Sequence, residues 1–269
     1  MKVSIITATY NSERTIKDTL TSVKQQTYKD VEHIIIDGAS TDKTINLLDL
    51  YGHQGPKLSE VDHGIYDAMN KGVAMAGGDI ICILNSDDFY SDPQVIEKIV
   101  KAFEQTGCDA VYGDLVYVDG KQSNKIVRTW VAGNYNKKLF YTGWMPPHPT
   151  VFIKKEVYEK YGLFNLKFKS SSDYELLLRL MFLKNIKVEY IPQVLVHMRT
   201  GGQSNKSLGN RLAAHKEDYL AWLSNGISPR WYTLAMKPLS KIKQFRTAEK
   251  RNYADQLIFK NFFPGQTTS

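Results

Sequence analysis

Short apolar runs alternate with stretches of helical periodicity through the first half of the chain, the pattern of a parallel sheet whose strands are joined by crossover helices. Val3 to Ala8 predicts a first strand, and Ser12 to Gln26 follows as a helix with Ile16, Leu20 and Val23 on one face. Val31 to Ile36 predicts a second strand that ends at Asp37, and Ser40-Thr41-Asp42 offers capping oxygens to a helix from Thr44 to Tyr51. A third helix is expected over Gly64 to Ala76. Gly77-Gly78 then leads into Ile80 to Leu84, a fully apolar and therefore buried strand that stops at Asn85-Ser86-Asp87-Asp88. Beyond Pro93 the spacing gives a helix to about Gln105, then a strand over Asp109 to Val118 that turns at Asp119-Gly120. Trp130 to Thr150 is rich in glycine, proline and aromatics and reads as an irregular, partly exposed segment, placed where a substrate wall could stand. Helices over Val157 to Tyr161 and Tyr174 to Leu183 and a strand over Lys187 to Val196 complete the pattern.

Composition narrows the class. With 269 residues and 42% hydrophobic content the chain can bury a substantial core. Its longest apolar runs, such as Ile34 to Ile36 and Ile80 to Leu84, fall far short of the roughly 18 residues that cross a bilayer. Lys2-Val3-Ser4-Ile5-Ile6 lacks the pattern of a secretory signal, so a cytoplasmic protein is expected. Cys82 and Cys108 form no CxxC pair, which argues against a disulfide framework or structural zinc and for two buried small apolar residues. The net charge of +7 is concentrated at one end: Lys206 to Ser269 holds 11 Lys and Arg against 4 Asp and Glu, and residues 1 to 205 hold 24 of each sign. A basic tail of this kind suits nucleic acid, an anionic membrane or an acidic partner, and equally a solvated helical face.

Candidate chemistry lies at strand ends. Asn85 to Asp88 directly after a buried strand places oxygen ligands at the carboxyl edge of a parallel sheet, where open α/β folds bind ligands. Mg²⁺ or Mn²⁺ needs only one or two protein carboxylates there, with phosphates and water filling its other positions. Taken alone, the same four residues read more simply as a turn or helix cap. Asp37 ends a second predicted strand, and Thr7-Ala8-Thr9-Tyr10-Asn11 ends the first. Polar strand ends in succession describe a cleft better than independent caps do, and Tyr10 could stack on a base.

In order and spacing, Ile6-Thr7-Ala8-Thr9-Tyr10-Asn11, then Asp37 with Ser40-Thr41-Asp42, then Asn85-Ser86-Asp87-Asp88 resemble the family-2 glycosyltransferases. The resemblance implies the GT-A fold, a Rossmann-like, mostly parallel sheet with flanking helices, and a nucleotide-diphosphate sugar donor transferred generally with inversion. It assigns residues 1–205 to the GT-A domain, with donor half 1–120 and acceptor half 121–205, and leaves 206–269 as a basic helical extension. Ala8, Thr9, Tyr10 and Asp37 would contact the nucleoside. Ala8 stands where the family usually has proline, and Asn85 where its Asp-x-Asp motif has the first acid. Asp88 is therefore the firmer metal ligand, with Asp87 a supporting ligand or ribose contact. Asp62 to Gly72 looks like the donor-site helix of bacterial members that build surface polysaccharide, with Lys71 toward the diphosphate or, more plainly, on the surface.

Glycosyl transfer needs a base for the acceptor hydroxyl. The family context places it at Asp173, in Ser170-Ser171-Ser172-Asp173-Tyr174-Glu175, although an acid at a helix start is also favoured by capping and the helix dipole. Glu175 is expected to point elsewhere. Trp144-Met145-Pro146-Pro147-His148-Pro149-Thr150 resembles an acceptor-side loop, making Trp144 and His148 acceptor contacts. His197 and Arg199 precede Gly201-Gly202-Gln203-Ser204 and could meet metal or diphosphate on loop closure, His197 being a weak metal candidate against a structural role. Arg230-Trp231-Tyr232, followed by Leu239, Ile242 and Phe245 among Lys237, Lys241, Lys243 and Arg246, suits a helix on an anionic membrane. The segment 230–251 would thus bring the enzyme to a polyprenyl-phosphate-linked acceptor at the inner leaflet. Rival readings are a nucleotidyltransferase and a non-catalytic glycan- or nucleic-acid-binding module. No GxGxxG or GxxxxGK[ST] loop occurs, which weakens the kinase, dehydrogenase and NTPase classes.

Overall fold

A computed structural model describes residues 1–201 and 208–240. One mixed sheet organises the chain: nine strands in the order β3-β2-β1-β4-β8-β6-β9-β5, with β7 paired to β6 outside that path. Strands β1 (Val3–Thr9), β2 (Val31–Asp37), β3 (Lys57–Ser59) and β4 (Ile80–Ile83) run parallel to their neighbours, joined by helices α1 (Ile16–Lys24), α2 (Thr44–Leu50) and α3 (Ile65–Met75). The second half is not the continuation of a parallel sheet. Its long strands β6 (Ala110–Val118) and β9 (Val188–Arg199) are parallel to each other, but β8 (Phe152–Lys154) bridges β4 and β6 antiparallel to both. The hairpin strand β7 (Ile126–Trp130) and the two-residue β5 (Phe89–Tyr90) are also antiparallel to their partners. Strands β3, β5 and β8 are two or three residues long. That is too short for alternation to register, so only their pairing defines them.

Alternation in the longer strands sorts side chains between two layers. Ile6, Ile34 and Ile36 face α3 and join a core that runs on through the acceptor half, whereas Ile35 meets Ile16, Leu20 and Leu48 of α1 and α2. Val3 and Ile5 pack with Val95, Ile96, Ile99 and Phe103 of α4 (Val95–Thr106). Gly72 lets α3 sit directly on β1, since a Cβ there would lie 2.3 Å from Ile6 Cγ2. Cys82 and Cys108 are both free and buried.

The acceptor half adds α5 (Lys155–Tyr161), α6 (Ser172–Leu177), a π-helical turn over Leu178–Leu183, α7 (Leu208–Ser224) and α8 (Thr233–Ser240). The segment after Trp130 is irregular apart from 3₁₀ turns at Lys137–Thr142 and His148–Thr150, and it is partly exposed: Val131, Asn134 and Asn136 to Lys138 face solvent, and Phe140 and Met145 to Thr150 are buried. Ala221 and Trp222 of α7 are fully buried in the same cluster as Tyr174, Phe182 and Phe140. Trp222 stacks on Tyr141 at 5.2 Å, and Lys237 of α8 pairs with Asp218 at 2.7 Å. Among the described residues no helix is long and apolar enough to cross a membrane. Half of the expected basic membrane segment 230–251, from Lys241 onward, and Gln203-Ser204 lie outside the described residues.

Candidate active site

Strand order reverses at β1, flanked by β2 and β4, and a crevice at such a point is where open α/β sheets take ligands. The three polar strand ends do meet there. Asn11 holds the loop after β2, its backbone N–H donating to Ser40 Oγ at 2.8 Å and its Oδ1 accepting from the Thr41 N–H at 2.9 Å. Ser12 Oγ lies 2.8 Å from Ser86 Oγ, tying the same turn to the acidic turn after β4. Asp37 is buried and its carboxylate accepts from the Ser40 N–H at 2.9 Å, Ser40 Oγ at 2.5 Å and Ser59 Oγ at 2.7 Å, so its first duty is to shape the loop. Tyr10 projects at the rim, 54% exposed. Beside it Asp62 packs closely on Gly38: a Cβ there would come within 2.6 Å of Asp62 Oδ2 and 3.5 Å of the Tyr10 ring. Gly38 and Asp62 were not distinguished by the sequence pattern. Thr9 is buried, and the Ala8 side chain lies in the core beside Ile6 and Ile36, so only backbone of Ala8 is available to a ligand. Lys71 sits on α3 between Glu60 at 2.8 Å and Asp67 at 3.2 Å, an ion-paired surface lysine.

The acidic turn is held from three sides. Thr19 Oγ1 of α1 donates to the Asp88 carbonyl at 2.7 Å, Arg199 donates to the Asp87 carbonyl at 2.8 Å, and Asn85 Nδ2 donates to Asp88 Oδ2 at 2.9 Å. Arg199 also bonds Ser123 Oγ at 2.9 Å and the Asp18 carboxylate, and lies over the Phe89 ring. Expected near metal or diphosphate, it instead braces the turn through its backbone. Burial raises both acids above the usual carboxylate range, and the neighbouring Asp87 charge raises Asp88 further. Two buried oxygens in this turn, Asn85 Oδ1 and Asp88 Oδ1, make no hydrogen bond. Orphaned hard oxygens beside two carboxylates fit Mg²⁺ or Mn²⁺. No three His, Cys, Asp or Glu side chains gather as a ready cage among the described residues, so the phosphates of a ligand would complete such a site. His197 does not extend it. Its ring packs edge-on against Phe89 at 5.1 Å as the cross-strand partner, and burial holds its pKa at about 4, a neutral buried imidazole.

Asp173 lies half-buried in the first turn of α6, and its Oδ1 accepts from Tyr66 Oη of α3 at 3.0 Å. Burial and the Asp173 charge push the Tyr66 pKa up, so the phenol stays a donor. Tyr66 stacks on Phe164 at 5.6 Å, and Asn70 fixes that residue by bonding both its carbonyl, at 2.9 Å, and its N–H, at 3.0 Å. The motif Asp62 to Gly72 thus serves Asp173 through Tyr66 and Asn70, a role its sequence alone does not announce. His148 is buried edge-on to Phe164 at 5.5 Å, its pKa lowered by burial and partly restored by Asp173. Trp144 is half-buried among Tyr112, Tyr135 and Phe140, its indole N–H donating to the Ala132 carbonyl at 2.8 Å. Glu175 points away into an ion pair with Arg179 at 2.9 Å, which bonds the Gly162 and Leu163 carbonyls. Tyr117 of β6 lies under Arg128, 3.7 Å over its ring, and its pKa is raised by burial.

A buried acidic turn at the reversal point of an open sheet defines an α/β protein that takes its ligand at the carboxyl edge of the strands. Solved structures agree on the fold. Staphylococcus aureus TarS 1-349 in complex with UDP-GlcNAc superposes with a TM-score of 0.65 at 17% identity, over 97% of this chain and 79% of that one. The mannosyltransferase PcManGT from Pyrobaculum calidifontis, in complex with GDP-Man and Mn²⁺, gives 0.62 at 16% identity over 97% and 72%. The profile of glycosyl transferase family 2 matches residues 4–162, and the chain belongs to that family. A PGL/p-HBAD biosynthesis glycosyltransferase of Mycobacterium tuberculosis is 27% identical over 208 residues, 75% of this chain and 78% of its own length.

Proposed function

We propose that the enzyme transfers a hexose from a UDP- or GDP-sugar, with inversion, to a hydroxyl of a growing glycan or polyprenyl-phosphate-linked acceptor in polysaccharide biosynthesis. The observation that carries this reading is the pair of buried, unpartnered oxygens on Asn85 and Asp88, set in a crevice whose other walls are Tyr10, Gly38 and Asp62. Asp88 and Asp87 would hold Mn²⁺ or Mg²⁺, which when bound offsets the charge that builds on the departing diphosphate. Tyr10 stacks on the base, and the backbone of Ala8 and Thr9 with the loop shaped by Asp37 lines the nucleoside site. Asp173 takes the proton of the acceptor hydroxyl as its oxygen bonds to the anomeric carbon. The bond from that carbon to the diphosphate oxygen breaks on the opposite face, its electron pair leaving with the nucleotide. Tyr66 aims Asp173 through its hydrogen bond, and His148 with Phe164 forms the apolar wall beside it. GDP-Man with Mn²⁺ and UDP-GlcNAc bound to structural neighbours support a nucleotide-sugar donor. The basic C-terminal segment, with Trp231 94% exposed, suits a cytoplasmic enzyme working at the inner membrane face.

Hydrolysis of UDP- and GDP-sugars in Mn²⁺, followed by product analysis, tests the donor class. Asp173→Asn should abolish turnover while UDP or GDP still binds. Turnover at the wild-type rate in Asp173→Asn removes the base assignment, and failure to bind any nucleotide with metal removes the reading as a whole.

A further inference from the structure

Three consecutive backbone N–H groups just before Asp173 donate to a single carboxylate from elsewhere in the chain. Glu217 of α7 accepts from Lys169 N at 3.0 Å through Oε1, and from Ser170 N at 2.8 Å and Ser171 N at 3.0 Å through Oε2. These donors lie in the segment that leads into α6, ending at its N-cap Ser171, so the carboxylate ties α7 to the entry of that helix. The same helix grips α6 twice more: Trp222 Nε1 donates to Tyr174 Oη at 2.9 Å, and Asn225 Nδ2 donates to Glu175 Oε1 at 3.1 Å. Ser171 Oγ adds a bond to the Ala214 carbonyl at 3.3 Å. Glu217 is also close enough that its charge acts on Tyr66, the donor to Asp173. The first turn of α6 is therefore located by α3 through Tyr66 and by α7 through Glu217, and α7 lies beyond the stretch 4–162 matched by the family profile.

We infer that Glu217 is a positioning residue for the transfer reaction: it sets the first turn of α6, and through it the aim of Asp173. The inference rests on Asp173 being the base. A side chain that only stabilised the fold would change melting temperature and leave turnover by the folded protein untouched. One that aims the base changes kcat and leaves nucleotide binding, on the far strands β1, β2 and β4, alone. Misplacing a reacting group by about 1 Å costs on the order of 100-fold in rate.

The experiment uses the full chain in Mn²⁺ with the donor sugar found active. For Glu217→Ala we expect kcat to fall about 10- to 100-fold with UDP or GDP affinity within about twofold of wild type. Glu217→Gln, which keeps only one of the two acceptor oxygens at the same reach, should recover part of the loss and stay several-fold below wild type. Unchanged kcat in Glu217→Ala, or parallel loss of kcat and nucleotide affinity, overturns the inference. If Glu217→Ala does not fold, Glu217→Gln decides: a several-fold drop in kcat at unchanged affinity supports the inference, and wild-type kcat overturns it. Asp173→Asn run in parallel separates the two readings. Its inactivity beside fully active Glu217 variants sinks only the role of Glu217, whereas its full activity sinks both.

Discussion

Replacing Asp88 by asparagine should move the protein's stability in opposite directions with and without metal. In the metal-free protein the Asp88 carboxylate is buried beside Asp87, and burial with that like charge raises its pKa. An acid whose folded pKa lies above its unfolded value contributes less and less stability as pH rises between the two, so at neutral pH the folded state carries a penalty. Asp88 Oδ1 and Asn85 Oδ1 add two buried oxygens without hydrogen bonds, each worth about 1–3 kcal/mol when unsatisfied. The amide of Asp88→Asn removes the charge and can donate toward Asn85 Oδ1. Discounting for relaxation, a gain of about 1–2 kcal/mol is expected, or about 2–8 °C in Tm for a chain of this size. With UDP or GDP and Mn²⁺ near 100 times Kd, wild type should gain about 2.7 kcal/mol, or about 5–10 °C, and Asp88→Asn almost none. Scanning fluorimetry in EDTA and in Mn²⁺ with nucleotide reads both effects. A variant less stable than wild type in EDTA, or one stabilised by metal and nucleotide as much as wild type, refutes the reasoning.

Tyr66→Phe removes the 3.0 Å bond to Asp173 and keeps the stack on Phe164; a hydrogen bond to a charged group is worth about 1.5–3 kcal/mol, so kcat should fall at least about 10-fold with nucleotide affinity retained, measured by steady-state kinetics and calorimetry. His197, held at about 4 by burial, makes stability rise with pH between about 4 and 6.5, since across that window the unfolded chain binds a proton that the folded one does not. The gap is worth about 3 kcal/mol, so in urea titrations in EDTA His197→Leu should lose correspondingly less stability than wild type from pH 7 to pH 4.5. His33, lowered to about 3 by burial, titrates in the same direction and keeps a residual slope in that variant. Full-length protein should co-sediment with anionic vesicles more than a 1–240 truncation, which retains the packed α8; equal binding removes the membrane role of the basic tail.

The donor half was legible in the sequence because its physics is local. Ile34, Ile35 and Ile36 are buried on both faces of a parallel strand, Asp37 and the turn Asn85 to Asp88 stop their strands, and short-range spacing carries all of it. The acceptor half was legible only as separate helices and one long strand. β5 and β8 are two and three residues long and exist because β9, β4 and β6 pair with them, and Trp130 to Thr150 reads as loop because its aromatics are buried by α6 and α7 rather than by a periodic face of their own. Sequence by itself therefore determined the order of strands β1, β2, β4, β6 and β9 and of the helices between them, the family, and the acidic turn with Asp173 as candidates. Tertiary structure decided what supports them. Tyr66 comes 107 positions to Asp173, Arg199 112 positions to Asp87, and Glu217 46 to 48 positions to the entry of α6. Hydrogen bonds across such separations leave no periodicity in the chain, because they form only after packing has closed the loops between their partners.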